Sequence, residues 1–259
     1  DGVGKANSGH PGGPMSSADF AYILYKEFLN YNPDDPNWFN RDRFVLSAGH
    51  ESMLLYSLLT LQGFMTIDDL KNFRQFGSKT AGHPEAEVDG VEATTGPLGQ
   101  GVGMAAGMAI AESMLGAMMG HDVSDHYTYV IAGDGDLQEP IALGCSQLAG
   151  HYGLNKLIVF YDNNEIQISG GTSRADSTDI AKEFEAFGWN VMTINGHDHD
   201  AIRKAITTAK SSKDKPTMII GKTIMANGVA TMEGSHETHG APLGDEEVKA
   251  TKKKWGLPE

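Results

Sequence analysis

Tyr127-Thr128-Tyr129-Val130-Ile131-Ala132-Gly133-Asp134-Gly135 is an aromatic and β-branched run that stops at a glycine–acid–glycine turn. An apolar run without alternation suits a strand covered on both faces, as strands of parallel sheets are. The signature recurs at Leu157-Ile158-Val159-Phe160-Tyr161, which leads into Asp162-Asn163-Asn164-Glu165-Ile166. Residues 43–47, 189–194 and 217–220 read as three further strands. Helical periodicity fills the gaps. One helix is expected to start at a Ser16 or Ser17 cap and run through Phe20, Ile23, Leu24 and Phe28; others cover 50–61, 96–118, 139–151 and 201–210. Strands alternating with helices predict one α/β domain over 1–259, a parallel sheet flanked by helices. Residues 245–254 are expected to form a solvated helix leading out of it.

Twenty Lys and Arg against thirty-four Asp and Glu leave a formal charge of −14. Such a surface repels phosphate backbones and anionic lipid heads, so neither nucleic acid nor membrane is an expected partner. The most apolar stretch, 101–119, carries Glu112 and four glycines and reads as a buried helix rather than a membrane span. Cys145 is the single cysteine, which excludes an intrachain disulfide and fits a reducing, cytoplasmic setting.

In an open parallel sheet ligands gather at the carboxyl ends of the strands. Two acidic turns fall there: Gly133-Asp134-Gly135 after one strand and Asp162-Asn163-Asn164-Glu165-Ile166 after the next. Side-chain oxygens at two such ends suit a hard cation, and Mg²⁺ takes part of its octahedral shell from ligand phosphates. Flanking glycines let phosphate oxygens approach the backbone. Gly-Asp-Gly alone equally suits a tight turn with a capping Asp. Five of ten histidines, His10, His50, His83, His236 and His239, lie in polar, Gly- or Pro-rich segments where pockets form; His121, His126, His151, His197 and His199 carry no such signal.

Gly-Asp-Gly followed 30 residues on by Asn164 resembles the thiamine-diphosphate motif of transketolases, and the stretches SGHPGGPMSSAD, NPDDPNWFNRDRFVLSAGH, LKNFRQFGSKTAGHPE, TTGPLGQGVGMAAGMAIAE and GSHETHGAPLGD are similar to that family in the same order. The resemblance spans the chain and implies the thiamine-diphosphate-binding domain, with pyrimidine-binding and C-terminal domains absent. It implies that Asp134, Asn164 and the carbonyl of Ile166 hold Mg²⁺ (or Ca²⁺ or Mn²⁺). Gly133 and Gly135 would contact the diphosphate, and Gly96, Pro97 and Leu98 would wall the cofactor. His10, His50, His83 and His239 would line the channel above it, His50 and His239 also touching the cofactor. Lys222 is expected near the same pocket. The glycines at 96, 99, 101 and 103 also suit close helix packing; they do not form a dinucleotide fingerprint, because no strand precedes them at the required spacing.

The implied reaction is two-carbon ketol transfer from a ketose phosphate to an aldose phosphate. The glutamate that activates the cofactor would come from a second domain on the partner chain, in a homodimer or a heteromer. Alternatives are a relative with another donor or acceptor, of the dihydroxyacetone-synthase or modified-sugar kind, a split two-subunit enzyme, and a non-catalytic homologue. Three positions depart from the family pattern. Glu139, expected to communicate between active sites, is followed by Pro140 where transketolases carry Gly, as in homodimeric pyruvate dehydrogenases. Gly144 replaces a second glutamate, and residues 170–179 lack the usual aromatics.

Overall fold

The computed structural model describes residues 1–258. Five strands form one parallel sheet: β1 (Arg43–Leu46), β2 (Thr128–Gly133), β3 (Leu157–Asn163), β6 (Asn190–Asn195) and β7 (Thr217–Lys222), in the order β1-β2-β3-β7-β6. A two-stranded hairpin, β4 (Ile166–Gln167) with β5 (Gly170–Gly171), follows β3. All five expected strands are present, and the sheet is flanked by helices as anticipated.

The unbroken apolar runs have a simple cause. Tyr129, Ile131, Ile158 and Phe160 pack into a core on one face with Phe20, Leu24, Tyr56 and Ile206. Val130, Ala132, Val159 and Tyr161 pack into the other with Val102, Ala105, Leu137 and Trp189. Successive side chains of a strand point to opposite faces, so two dry faces require an apolar residue at every position. Register pairs Gly133 with Asp162 and Asp162 with Gly221, which brings the acidic turns side by side at one end of the sheet.

Four helix expectations are corrected. Ser17 stands at the N-cap of Ala18–Ile23 without capping it, and the helix gives way to one wide turn of π type, Leu24–Phe28. Ser16 is diverted instead: its hydroxyl pairs with Asp162 and Gly13 O. The glycine-rich helix starts at Gln100, not at residue 96, because Gly99 holds φ +78°, outside right-handed helical space. That helix, Gln100–Met119, is buried on one side only; Met104, Met114, Met118 and Met119 are exposed. It alone among the described residues is long and apolar enough to cross a membrane, yet its inner side packs into the sheet core and carries Glu112, paired with Lys156 at 2.6 Å. The last helix, Asp245–Trp255, does not lead away: Glu247 accepts from Thr231 N (2.6 Å) and Met232 N (3.1 Å), and Lys254 donates to Val229 O (3.0 Å).

Candidate active site

Asp134 opens a one-turn helix, Asp134–Leu137, directly after β2 and is 8% exposed. The Tyr161 hydroxyl of β3 donates to its Oδ1. Burial pushes its carboxyl up to about 7; the Tyr161 hydrogen bond opposes this, and the nearby Asp162 and Glu165 reinforce it. No cationic side chain among the described residues pairs with it, so Asp134 is a buried acid in want of a cation.

Asn164 is oriented by a carboxylate that can only accept. Its Nδ2 donates to Asp162 Oδ2 at 2.8 Å, while Asp162, fully buried, also takes the Ser16 and Thr223 hydroxyls. This pattern decides the amide face and leaves Oδ1, which accepts from Ile166 N at 3.0 Å, with a second lone pair free. Glu165, at φ +61°, swings the chain so that Ile166 returns into the hairpin. A third buried acid, Asp136, accepts from Ser47 Oγ (2.6 Å), Gly99 N (2.8 Å) and Gly133 N (2.9 Å). It ties the end of β1, the glycine loop and the acidic turn into one rigid unit.

Asp134, Asn164 and Ile166 line one cavity of about 650 Å³ together with Gly133, Gly135, Gly96 and Leu98. His10, His50 and His239 line it too, with ring centroids 5.0 to 5.8 Å apart. Burial lowers His10 to about 4 and His50 to about 3, and the neighbouring imidazoles repel a charge on either. At neutrality the cluster is therefore uncharged, each ring offering one N–H and one lone pair. His10 Nδ1 and His239 Nδ1 are buried without a protein partner.

The residues fit a metal–diphosphate cofactor and a polyhydroxylated ligand. Oxygen donors converge at one end, and three neutral imidazoles line the same space. A different acidic group, Glu112, His121 and Asp125, lies beyond the opposite end of β2, where Lys156 bonds Glu112 and Asp125. That ammonium already supplies the cation, so this group does not serve the cavity.

Four anticipated residues lie outside the cavity lining. His83 is exposed and reaches the site only by packing beside Gly96, while its carbonyl accepts from Tyr56 Oη. Pro97 is exposed. Glu139 is exposed at the start of the Pro140–His151 helix. Lys222 lines an adjacent cavity of about 550 Å³, 3.3 Å from Glu165, and not the histidine-lined one. In return, Glu51, Met225, Arg174 and the hairpin residues Gln167 and Ile168 line the cavity unforeseen. Only Glu51 carried a sequence signal, its place beside His50. His197 and His199, read as unremarkable, share Asp19 at 2.8 Å each.

The chain matches the family model described as "Transketolase, thiamine diphosphate binding domain" over residues 1–259. It is 55% identical to transketolase 1 of Vibrio cholerae, covering 99% of this chain and 39% of that protein. Its fold superposes on the transketolase of Campylobacter jejuni with a TM-score of 0.97 at 49% identity, covering 99% of this chain and 40% of that one. A transketolase from Pichia stipitis, solved in complex with sedoheptulose 7-phosphate, gives 0.96 at 44% identity over 99% and 39% of the two chains. This chain thus spans about two fifths of the length of the relatives it matches. Acidic turns, imidazole cluster, sheet order and sequence agree on one conclusion: the chain belongs to the transketolase family, as its thiamine-diphosphate-binding domain.

Proposed function

We propose that this chain supplies the metal- and diphosphate-binding half of an enzyme that transfers a two-carbon ketol unit between sugar phosphates. The observation that carries the reading is the convergence of Asp134, Asn164 and three uncharged imidazoles on one cavity. Thiamine diphosphate, when bound, supplies the electron sink for cleavage of a ketose C–C bond. Asp134, Asn164 and the Ile166 carbonyl would hold the Mg²⁺, which offsets both the buried acid and the diphosphate charge. His10, His50 and His239 would bind hydroxyl groups and move protons among them, since a neutral imidazole both donates and accepts. An anionic ligand nearby raises their basicity toward neutrality and so favours proton uptake during turnover. His83 would close the rim beside Gly96.

The remaining half of the site would come from a pyrimidine-binding domain, in a homodimer or a heteromer. The apolar stripe of Met104, Met114, Met118, Ile141 and Leu148, exposed across two adjacent helices, supports burial against further protein. The test is reconstitution. This chain alone is expected to bind Mg²⁺ and thiamine diphosphate weakly and not to turn over. Adding the complementary domains should restore ketol transfer from sedoheptulose 7-phosphate to an aldose phosphate. Turnover by the chain alone, or none after reconstitution with cofactor bound, would overturn the reading. A relative using another donor or acceptor is favoured by one feature: Arg174, from the segment without aromatics, lines the cavity and can pair with an anionic group.

A further inference from the structure

We propose that Glu51 is a further ligand-contacting residue, whose carboxyl group donates a hydrogen bond to a phosphoryl oxygen of the diphosphate held beside Gly133-Asp134-Gly135. This rests on the cofactor reading above. Glu51 closes the 3₁₀ turn Gly49–Glu51 after β1, is 3% exposed, and lines the same cavity as Asp134 and Asn164. Its Oε2 is buried without a partner, and no cation among the described residues pairs with either oxygen. The side chain packs directly on the Gly13 backbone, in space that only a glycine leaves: a Cβ built there would meet Glu51 Oε1, with Cδ at 2.6 Å and Cγ at 2.9 Å.

The nearest charged groups, Asp162 and Asp136, are carboxylates already supplied with three donors each. They oppose ionisation of Glu51 without relieving it. Burial first, and these two acids second, hold the carboxyl well above the usual carboxylate range, against a smaller opposing effect of the Ser17 hydroxyl. A neutral carboxylic acid has one O–H to give, and Oε2 makes no hydrogen bond within the protein. A phosphoryl oxygen at the acidic turn supplies an acceptor, and the donor offsets local repulsion in a chain of charge −14.

The experiment is calorimetric titration of Mg²⁺ with thiamine diphosphate into the intact protein and its Glu51→Gln and Glu51→Leu variants, with melting temperatures of the ligand-free forms. The amide keeps a donor, so Glu51→Gln is expected within about threefold of the parent, whereas Glu51→Leu weakens binding about tenfold. Equal affinity in Glu51→Leu overturns the role of Glu51 alone. A loss in Glu51→Gln matching that in Glu51→Leu also overturns it, because a charged cation ligand is then required. Absence of binding by the parent overturns the cofactor reading and this inference with it. Should Glu51→Leu fail to fold, difference infrared spectra of the parent decide. A protonated-carboxyl band absent from Glu51→Gln must shift on binding, and an unmoved band refutes the hydrogen bond.

Discussion

At the scale of single residues, the site is a set of groups held in protonation states that only a ligand makes comfortable. Asp134 titrates near 7 in the fold against 3.8 in the open chain. The fold therefore binds more protons than the open chain between those values, and the metal-free protein loses stability as pH rises through that window. Asp134→Asn removes this penalty. It should raise the melting temperature of the metal-free protein at pH 8 while weakening binding of Mg²⁺ and thiamine diphosphate by about 100-fold, roughly 2.7 kcal/mol. Calorimetry and thermal melts with and without Mg²⁺ check both arms. The histidines act in the opposite sense. His10 and His50 fall to about 4 and about 3, so the stability their neutral forms allow is complete above pH 6.5 and is lost as pH falls below it. Urea midpoints should drop between pH 7 and pH 5, with each ring contributing on the order of 1 kcal/mol. His50→Asn should flatten that slope.

At the scale of elements, the glycine-rich helix couples packing to the site. A Cβ at Gly101 would stand 2.5 Å from Ser47 Cα and 2.8 Å from its Oγ, the hydroxyl that bonds Asp136. Gly101→Ala should therefore push the Gln100–Met119 helix from the end of β1 and cost about 1–3 kcal/mol. It should also weaken cofactor binding, because Asp136 anchors Gly99 and Gly133. Denaturant unfolding and calorimetry on one preparation read both effects. A contrasting change lies in the His199–Lys210 helix, where Asp198 caps Asp200 N at 2.9 Å and Ala201 N at 3.1 Å. Asp198→Ala should lower stability by about 1 kcal/mol and leave cofactor affinity unchanged. Equal losses of affinity in both variants would contradict the coupling assigned to Gly101.

At the scale of the whole molecule, one end of a parallel sheet gathers the chemistry and the flanking helices leave an apolar stripe bare. A chain spanning 39% of its relatives' length, with exposed Met104, Met114, Met118, Ile141 and Leu148, is expected to gain stability on meeting its complement. Adding the complementary domains should raise the melting temperature in a concentration-dependent way. Leu148→Glu, which places a charge on the exposed face of the Pro140–His151 helix beside Ile141, should reduce association by about tenfold if that face is covered. Sedimentation velocity gives the answer. The intact mass of the polypeptide from its host, with anything that co-purifies, tells a two-subunit enzyme from a longer single chain.

Sequence alone determined the sheet and its two acidic turns, since a strand dry on both faces must be apolar at every position and a phosphate-binding end must carry glycine and oxygen donors. The resemblance of the histidine segments to the transketolase family implied one site for His10, His50, His83 and His239, and all but His83 line the cavity. Tertiary structure decided what those patterns leave free. The rotation of Asn164 depends on Asp162, Ser16 and Thr223, which belong to three separate segments. The starting point of the glycine-rich helix depends on a left-handed Gly99. Lys222 was assigned by its place after the last strand, but its side chain lines a neighbouring cavity, and Glu139, to which the resemblance gives a role between active sites, stands exposed at the start of its helix. Glu51 is the reverse case. Its burial against Gly13 and its distance from any cation arise from segments far apart in the chain, and local pattern carries no trace of contacts of that kind.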